Sequence, residues 1–283
     1  MSALTGIGQA VPVATQAPTT PSTSSTSITE GRTALGVELG STRIKAVLIG
    51  PDHEVLATGG HSWENQLVDK RWTYAEDDVW SGLQSAYAAL AADVRERHGV
   101  ELERVGGLGV SAMMHGYVAL DEGGALLVPF RTWRNTSTGE AVERLSGPLD
   151  FNVPHRWSIA HLFQAVLDGE EHLPRLATAT TLAGWVHHRL TGEHVLGVGD
   201  ASGVFPIDSS TGTYDAERLA TTQRLLGEEG FTTPLEQLLP RVGELLLELF
   251  AFPAGKNDDR VDALTQAILR IFVAISGSDL NDW

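Results

Sequence analysis

The chain has 283 residues, 42% of them apolar and 20% charged, with 36 acidic against 20 basic side chains and a formal net charge of −16. That apolar content and length support a core without staples, and the lack of cysteine excludes disulfides, thiolate metal sites and cysteine nucleophiles and points to a reducing compartment. The acidic balance argues against nucleic acid and anionic membrane as partners, no stretch reaches the ~18 apolar residues of a membrane span, and no basic-then-apolar leader opens the sequence, so a soluble, cytoplasmic protein is expected.

Residues 1–32 are rich in Ser, Thr, Pro, Ala and Gly. Such a composition buries too little apolar surface to offset ordering, which predicts a disordered tail with order beginning near Thr33. Ala34–Leu39 and Arg43–Ile49 read as strands, and Gly50-Pro51-Asp52-His53 as the turn into a third strand over Val55–Thr58. From Ala75 to about His98, Val79, Leu83, Ala86, Leu90 and Val94 recur at helical spacing, behind an acidic first turn and ahead of Gly99. Val105–Ser111 reads as a buried strand. Tyr117–Leu120 and Ala125–Val128 flank Asp121-Glu122-Gly123-Gly124, a hairpin signal. Helical stretches follow around Asn135–Leu145, Ile159–Asp168, Thr180–Leu190 and Asp215–Leu226, the third with a Gly192 cap. Three strands, a helix and another strand predict an α/β layer with a mixed sheet.

Glu38-Leu39-Gly40-Ser41-Thr42 sets a carboxylate, a glycine and two hydroxyls at a strand-to-strand turn. It reads as an ordinary hairpin turn, or as a phosphate cradle. In the second reading Gly40 permits close backbone approach, Ser41 and Thr42 donate hydrogen bonds, Lys45 lends charge and Glu38 orients a metal-bound water. Met114-His115-Gly116 follows the buried strand, where Met and His are more often packing residues than ligands, while Gly116 permits close approach.

Taken together, these segments resemble the FGGY carbohydrate kinases, the family of xylulokinase, ribulokinase and glycerol kinase. The opening run is similar to their first phosphate loop, and Met114-His115-Gly116 to their substrate loop. Thr132-Trp133-Arg134-Asn135-Thr136 is similar to a Trp-Asn-Asp segment. Thr181 to Glu193 is similar to a helix ending in Leu-Thr-Gly, and Asp200-Ala201-Ser202-Gly203 through Tyr214-Asp215 to the stretch after it. Five motifs in register span residues 33–243, nearest to the xylulokinase-like and ribulokinase-like branch.

The resemblance implies an α/β domain of the ribonuclease-H-like/actin-like ATPase class, a mixed sheet flanked by helices that forms the first half of a two-domain sugar kinase. It implies ATP and Mg²⁺ as cofactors and phosphoryl transfer to a hydroxyl of a pentulose- or pentose-like sugar. It implies nucleotide contacts at Gly40, Ser41, Thr42 and Lys45, with Glu38 near the metal through water. Sugar contacts are implied at Met114, His115, Trp133 and Arg134. Glu38 stands where most members have Asp, and Arg134-Asn135 where most have Asn-Asp. The family's catalytic Asp belongs to a Gly-Gly-Asp run after a Leu-Pro-x-Val segment. Leu239-Pro240-Arg241-Val242 is present here without that run, so phosphoryl transfer by this chain alone is not expected. A non-catalytic sugar-binding remnant, associating through an uncovered cleft face, is the corresponding alternative.

Residues 244–283 read differently. Phe252-Pro253-Ala254-Gly255-Lys256 and the acids Asp258, Asp259 and Asp262 lead an apolar helical pattern. The acids suit a helix N-terminus or a divalent cation. This run resembles the C-terminal end of a phage terminase large-subunit nuclease domain, which implies a metal-dependent nuclease fragment as the second alternative. Three units are therefore expected: a tail over 1–32, a kinase-like domain over 33–243 and an unrelated helical tail over 244–283.

Overall fold

The structure is a computed structural model and describes residues 22–243. The acidic run with Asp258, Asp259 and Asp262 lies outside the described residues, as does most of the N-terminal tail. In chain order the elements are α1 (Thr23–Thr29), β1 (Ala34–Leu39), β2 (Arg43–Ile49), β3 (Val55–Ser62), β4 (Gln66–Val68), β5 (Arg71–Thr73), α2 (Glu76–His98), β6 (Gly107–Ala112) and β7 (Val118–Leu120). There follow α3 (Gly139–Leu149), α4 (Ser158–Leu167), β8 (Thr178–Thr180), α5 (Leu182–Thr191), β9 (Val195–Leu196) and α6 (Val198–Ala201). The described chain ends with β10 (Ile207–Asp208), β11 (Thr213–Tyr214), α7 (Ala216–Glu228), α8 (Leu235–Leu238) and β12 (Arg241–Val242).

The main sheet runs β3-β2-β1-β6, with β1 antiparallel to β2 and parallel to β6. The mixed sheet expected from the strand order is therefore present. Period-two burial drives it: Leu35, Val37 and Leu39 on β1, and Ile44, Ala46 and Leu48 on β2, turn to one core. Helix α2 covers that core with Val79, Ala86, Leu90 and Val94, all at most 1% exposed. Acids at its start and Arg95, Arg97 and His98 at its end complement the helix dipole, and Gly99 closes it in the left-handed conformation at φ 67°. Asp93 on α2 accepts a 2.8 Å hydrogen bond from the Thr58 amide of the edge strand β3.

A second core lies among α3, α4, α7 and α8. Strand β7 joins the two: Val118 and Leu120 face the first core, while Ala119 and the preceding Tyr117 face the second. It pairs antiparallel with β8. The expected hairpin beside it is present through two isolated antiparallel bridges, Leu120 to Leu126 and Tyr117 to Arg131, with the Asp121 carboxylate accepting from the Gly123 and Ala125 amides.

Two expectations need correction, and one element is new. Order begins before Thr33: α1 seats Ile28 in the first core with no exposed surface, and Ser22 caps its start. Ser25 Oγ donates to the His98 carbonyl at 3.0 Å, so a serine-rich segment is held by capping the end of α2. The helix expected over Asn135–Leu145 begins at Gly139 and runs to Leu149, because Asn135 is taken up by side-chain bonds to Trp72 and Thr132. The β4–β5 hairpin was not anticipated. Its two-residue turn uses Asp69 and Lys70 at φ 47° and 63°, a conformation usually signalled by glycine or asparagine.

Candidate functional site

The turn between β1 and β2 is held from behind by two aromatics. Trp63 Nε1 donates to the Gly40 carbonyl at 2.7 Å, the Tyr74 hydroxyl to the Ser41 carbonyl at 2.6 Å, and the Trp63 amide to the Thr42 carbonyl at 3.2 Å. Trp63 and Tyr74 stack with ring centroids 4.1 Å apart. All three carbonyls are thus engaged on one side. Among the described residues the amides and hydroxyls of Ser41 and Thr42 have no partner, and both residues are exposed. Such a set of outward N–H and O–H donors is suited to an anionic oxygen cluster. Gly40 suits the tight turn, since a Cβ there would lie 3.0 Å from the Arg43 carbonyl oxygen and press on it.

The substrate-loop candidate sits at the end of β6, beside β1. His115 adopts φ 72°, an unusual conformation for a residue with a side chain, and Gly116 adopts φ 107°. The Gly116 amide donates to the Arg156 carbonyl at 2.9 Å, and the Ser158 hydroxyl donates to the Gly116 carbonyl at 2.6 Å. The segment leading into α4 therefore fixes this loop. Gly203 backs the imidazole so closely that a Cβ would fall 2.9 Å from His115 Nδ1. Nδ1 is buried without a well-formed hydrogen bond, and the Gly203 backbone beside it acts only as a weak partner. Burial, and then the Arg156 guanidinium, lower the His115 pKa below its ordinary value, so the ring is neutral near pH 7.

A cleft of about 410 Å³ brings the two loops together: Glu38, Gly40 and Ser41 line it with Met114, His115 and Trp133. Six residues picked from three separate motifs thus converge on one cavity. Others do not reach it. Lys45 lies opposite Glu38 across the β1–β2 ladder and pairs with its carboxylate at 3.0 Å. Arg134 lays its guanidinium 3.7 Å from the Trp72 ring centroid, and Thr42 stands beside the cleft but does not line it. The residue that the sequence did not flag is Arg156, an exposed lining side chain with no carboxylate partner among the described residues. Nothing in its local sequence announces the role.

The Trp133 loop is clamped by the β4–β5 hairpin. The Trp72 amide donates to Asn135 Oδ1 at 2.9 Å, and Asn135 Nδ2 returns a 2.8 Å bond to the Trp72 carbonyl. A second groove of about 770 Å³ adjoins Met114 and is lined by Ser111, Asp200 and Thr211–Thr213. Burial raises the Asp200 pKa, and the Thr181 hydroxyl that caps α5 donates to its carboxylate.

Gly116→Ala is expected to dismantle the substrate loop. A Cβ would lie 2.5 Å from the Arg131 carbonyl oxygen, at a φ that side chains rarely tolerate. The strain is of order 1–3 kcal/mol. Calorimetric titration with sugars should show binding weakened at least ~10-fold, while circular dichroism retains the helical signal. Unchanged binding would mean that the loop is not a ligand contact.

The Ser41 and Thr42 donors suit nucleotide phosphate. Glu38 is a single carboxylate already paired with Lys45, and among the described residues no group of three or more His, Asp or Glu gathers to hold a metal. A Mg²⁺ ion would therefore rest chiefly on the phosphates, as this cation commonly does.

The sequence matches the model of the FGGY family of carbohydrate kinases, N-terminal domain, over residues 33–225. It is 25% identical over 202 residues to the xylulose kinase of Klebsiella pneumoniae, covering 66% of this chain and 39% of that protein. It is 24% identical over 177 residues to the xylulose kinase of Bacillus subtilis, covering 60% and 35%. The chain thus spans well under half the length of these relatives. Among solved structures, the ligand-bound xylulose kinase of Lactobacillus acidophilus superposes with a TM-score of 0.62 at 16% identity, over 82% of this chain and 45% of that one. The xylulose kinase of Rhodospirillum rubrum gives 0.59 at 22% identity, over 75% and 43%. The architecture is that of the actin-like ATPase fold found in sugar kinases.

Proposed function

The chain belongs to the FGGY family of carbohydrate kinases through its N-terminal domain, and from that premise we propose that it binds a pentulose- or pentose-like sugar beside the phosphates of ATP. The observation that carries this reading is the convergence of the Gly40–Thr42 turn, Met114, His115 and Trp133 on one cleft or its rim. ATP, when bound, supplies the phosphoryl group. The Ser41 and Thr42 amides and hydroxyls would donate to its phosphate oxygens, with the aromatic pair behind them holding the carbonyls of that turn. Preorganised donors of this kind need no rearrangement as charge develops.

On the sugar side, neutral His115 offers one ring nitrogen to a hydroxyl. Trp133, 40% exposed, presents a ring face for the apolar edge of the sugar. Positioning of this sort is most of what a phosphoryl-transfer site contributes. Among the described residues no Asp or Glu other than Glu38 lines the cleft, and Glu38 is engaged with Lys45. Residues 33–243 are read as the functional unit, acting in the cytoplasm. Among the described residues no helix is long and apolar enough to cross a membrane.

The reading predicts binding without turnover. Titration of the 283-residue chain with ketopentoses and aldopentoses should give saturable heats for one or a few of them, together with measurable binding of ATP·Mg²⁺. A coupled assay for ADP should stay at background. Absence of binding by every sugar would reject the site, and sustained ADP release lost in Ser41→Ala/Thr42→Ala would reject binding without turnover.

A further inference from the structure

We propose that Arg156 makes this site selective for a sugar that carries a carboxylate, a polyhydroxy acid in preference to the neutral sugar of the same length. The inference rests on the sugar-cleft reading above and deepens it by naming the charge of the substrate.

The cleft has an unbalanced charge. It has two charged lining residues, Glu38 and Arg156. The Glu38 carboxylate is matched by Lys45 at 3.0 Å. Arg156 has no carboxylate partner among the described residues, although acids outnumber bases 36 to 20 in the sequence. The second titratable side chain on that side, His115, is held neutral by burial and by Arg156 itself, so it does not compete for an anion. One uncompensated guanidinium therefore faces the cavity.

Its position favours the sugar over the nucleotide. The Arg156 carbonyl accepts the Gly116 amide at 2.9 Å, which ties this residue to the Met114–Gly116 loop. Ser158, two residues on, holds the Gly116 carbonyl through its hydroxyl. The phosphate donors belong to the Gly40–Thr42 turn, a different element. A guanidinium presents a rigid fork of donors that matches a carboxylate in two parallel hydrogen bonds. His115 and Trp133 would then take the hydroxyl-bearing carbons, with the acid end toward Arg156.

The test uses the full chain and three probes: a five- or six-carbon aldonate, the neutral ketose of equal length, and ATP·Mg²⁺. Affinities are measured by calorimetry or ligand-observed NMR for the wild type, Arg156→Gln and Arg156→Lys, with thermal melts to verify folding. The side chain is exposed and its backbone bond is kept, so both variants should fold. The expected result is a wild-type preference for the aldonate of about tenfold, equal to about 1.4 kcal/mol. That preference should shrink as salt rises, fall to about one in Arg156→Gln and be partly retained in Arg156→Lys.

Equal binding of aldonate and ketose by the wild type overturns the inference while leaving the sugar cleft standing. So does a preference that Arg156→Gln leaves intact. Loss of ATP·Mg²⁺ binding in Arg156→Gln with the aldonate preference kept overturns it in favour of a phosphate contact. If neither sugar binds the wild type, the cleft reading itself fails, and the selectivity with it.

Discussion

Gly59→Ala should destabilise the domain by about 3 kcal/mol or more, among the largest effects of any single added methyl group in this molecule. Strand β3 lies directly under α2, and a Cβ at position 59 would fall 2.1 Å from the Ala86 carbonyl oxygen, 2.4 Å from the Leu90 nitrogen and 2.9 Å from the Leu90 Cα. All three are backbone atoms, so no side-chain rotation relieves the clash. The helix must lift from the sheet, and Ala86 and Leu90 are fully buried in that contact. Overpacking costs typically run 1–3 kcal/mol and exceed this where the neighbour cannot yield. For a domain of this size, ~3 kcal/mol lowers Tm by roughly 6–12 °C. Gly109→Ala on β6 is the control, because a Cβ there meets nothing within 4 Å. Its Tm should stay within ~2 °C of the wild type, a change of about 0.5 kcal/mol. Comparable melts for the two variants would show that α2 and β3 are less closely packed than described.

The second large effect is expected at Glu170, which follows α4 and holds together an otherwise uncompensated cationic cluster. Its carboxylate accepts from Arg71 at 3.0 Å and from the buried Arg131, and lies 3.3 Å from His172 Nδ1. The Arg131 side chain is 3% exposed, with its guanidinium 5.1 Å from the Tyr117 ring centroid. Glu170→Ala leaves that charge buried without a counterion, at a cost of about 3–5 kcal/mol. Arg71→Ala removes only a partly exposed partner and should cost ~1 kcal/mol or less. A chemical-denaturation series on both variants would check the ordering, and equal effects would contradict it.

The same carboxylate sets an acid limit. Burial by itself would raise its pKa, but the His172 contact and the Arg131 and Arg71 guanidinia pull it well below its ordinary 4.5. Because the folded value is depressed, the stabilisation is complete above the unfolded pKa and is lost as pH falls below about 4.5 toward the folded value. The gap in stability between wild type and Glu170→Ala should therefore narrow with acidification in that range. His161 acts over a higher window. Its two ring nitrogens are buried without partners, and burial lowers its pKa from 6.5 to about 3. The unfolded chain binds this proton first, so stability also declines between pH 6.5 and about 3, by at most ~1.4 kcal/mol per unit. A gap that stays constant across pH 5 to 3 would contradict the Glu170 assignment.

Much of the fold could be read from pattern alone, because burial on one face imposes a period. Runs rich in Val, Ile and Leu marked β1 and β2, and the Val79–Val94 stripe with its acidic start and Gly99 stop marked α2 to within a residue. Motif order carried the site further than any single motif did. Gly40, Ser41, Met114, His115 and Trp133 are scattered over ninety-odd positions, yet they line one cleft because the parallel pairing of β1 with β6 sets their C-terminal ends side by side. Misses arose where a long-range partner supplied the reason for a local structure. Serine and threonine dominate α1, and its order depends on Ile28 reaching a core built elsewhere and on a bond to the end of α2. Asp69 and Lys70 carry no glycine signal for the turn that they form.

The sequence by itself determined the strand and helix periods, the glycine stops and the family's ordered motifs, since each depends on residues near one another in the chain. Only the tertiary structure decided which charges are spent and which are free. Lys45 and Arg134 look available in the sequence and are engaged by Glu38 and Trp72, whereas Arg156 looks incidental and faces the cleft. Charge pairing acts through space over a few ångströms, and sequence separation carries little information about that distance.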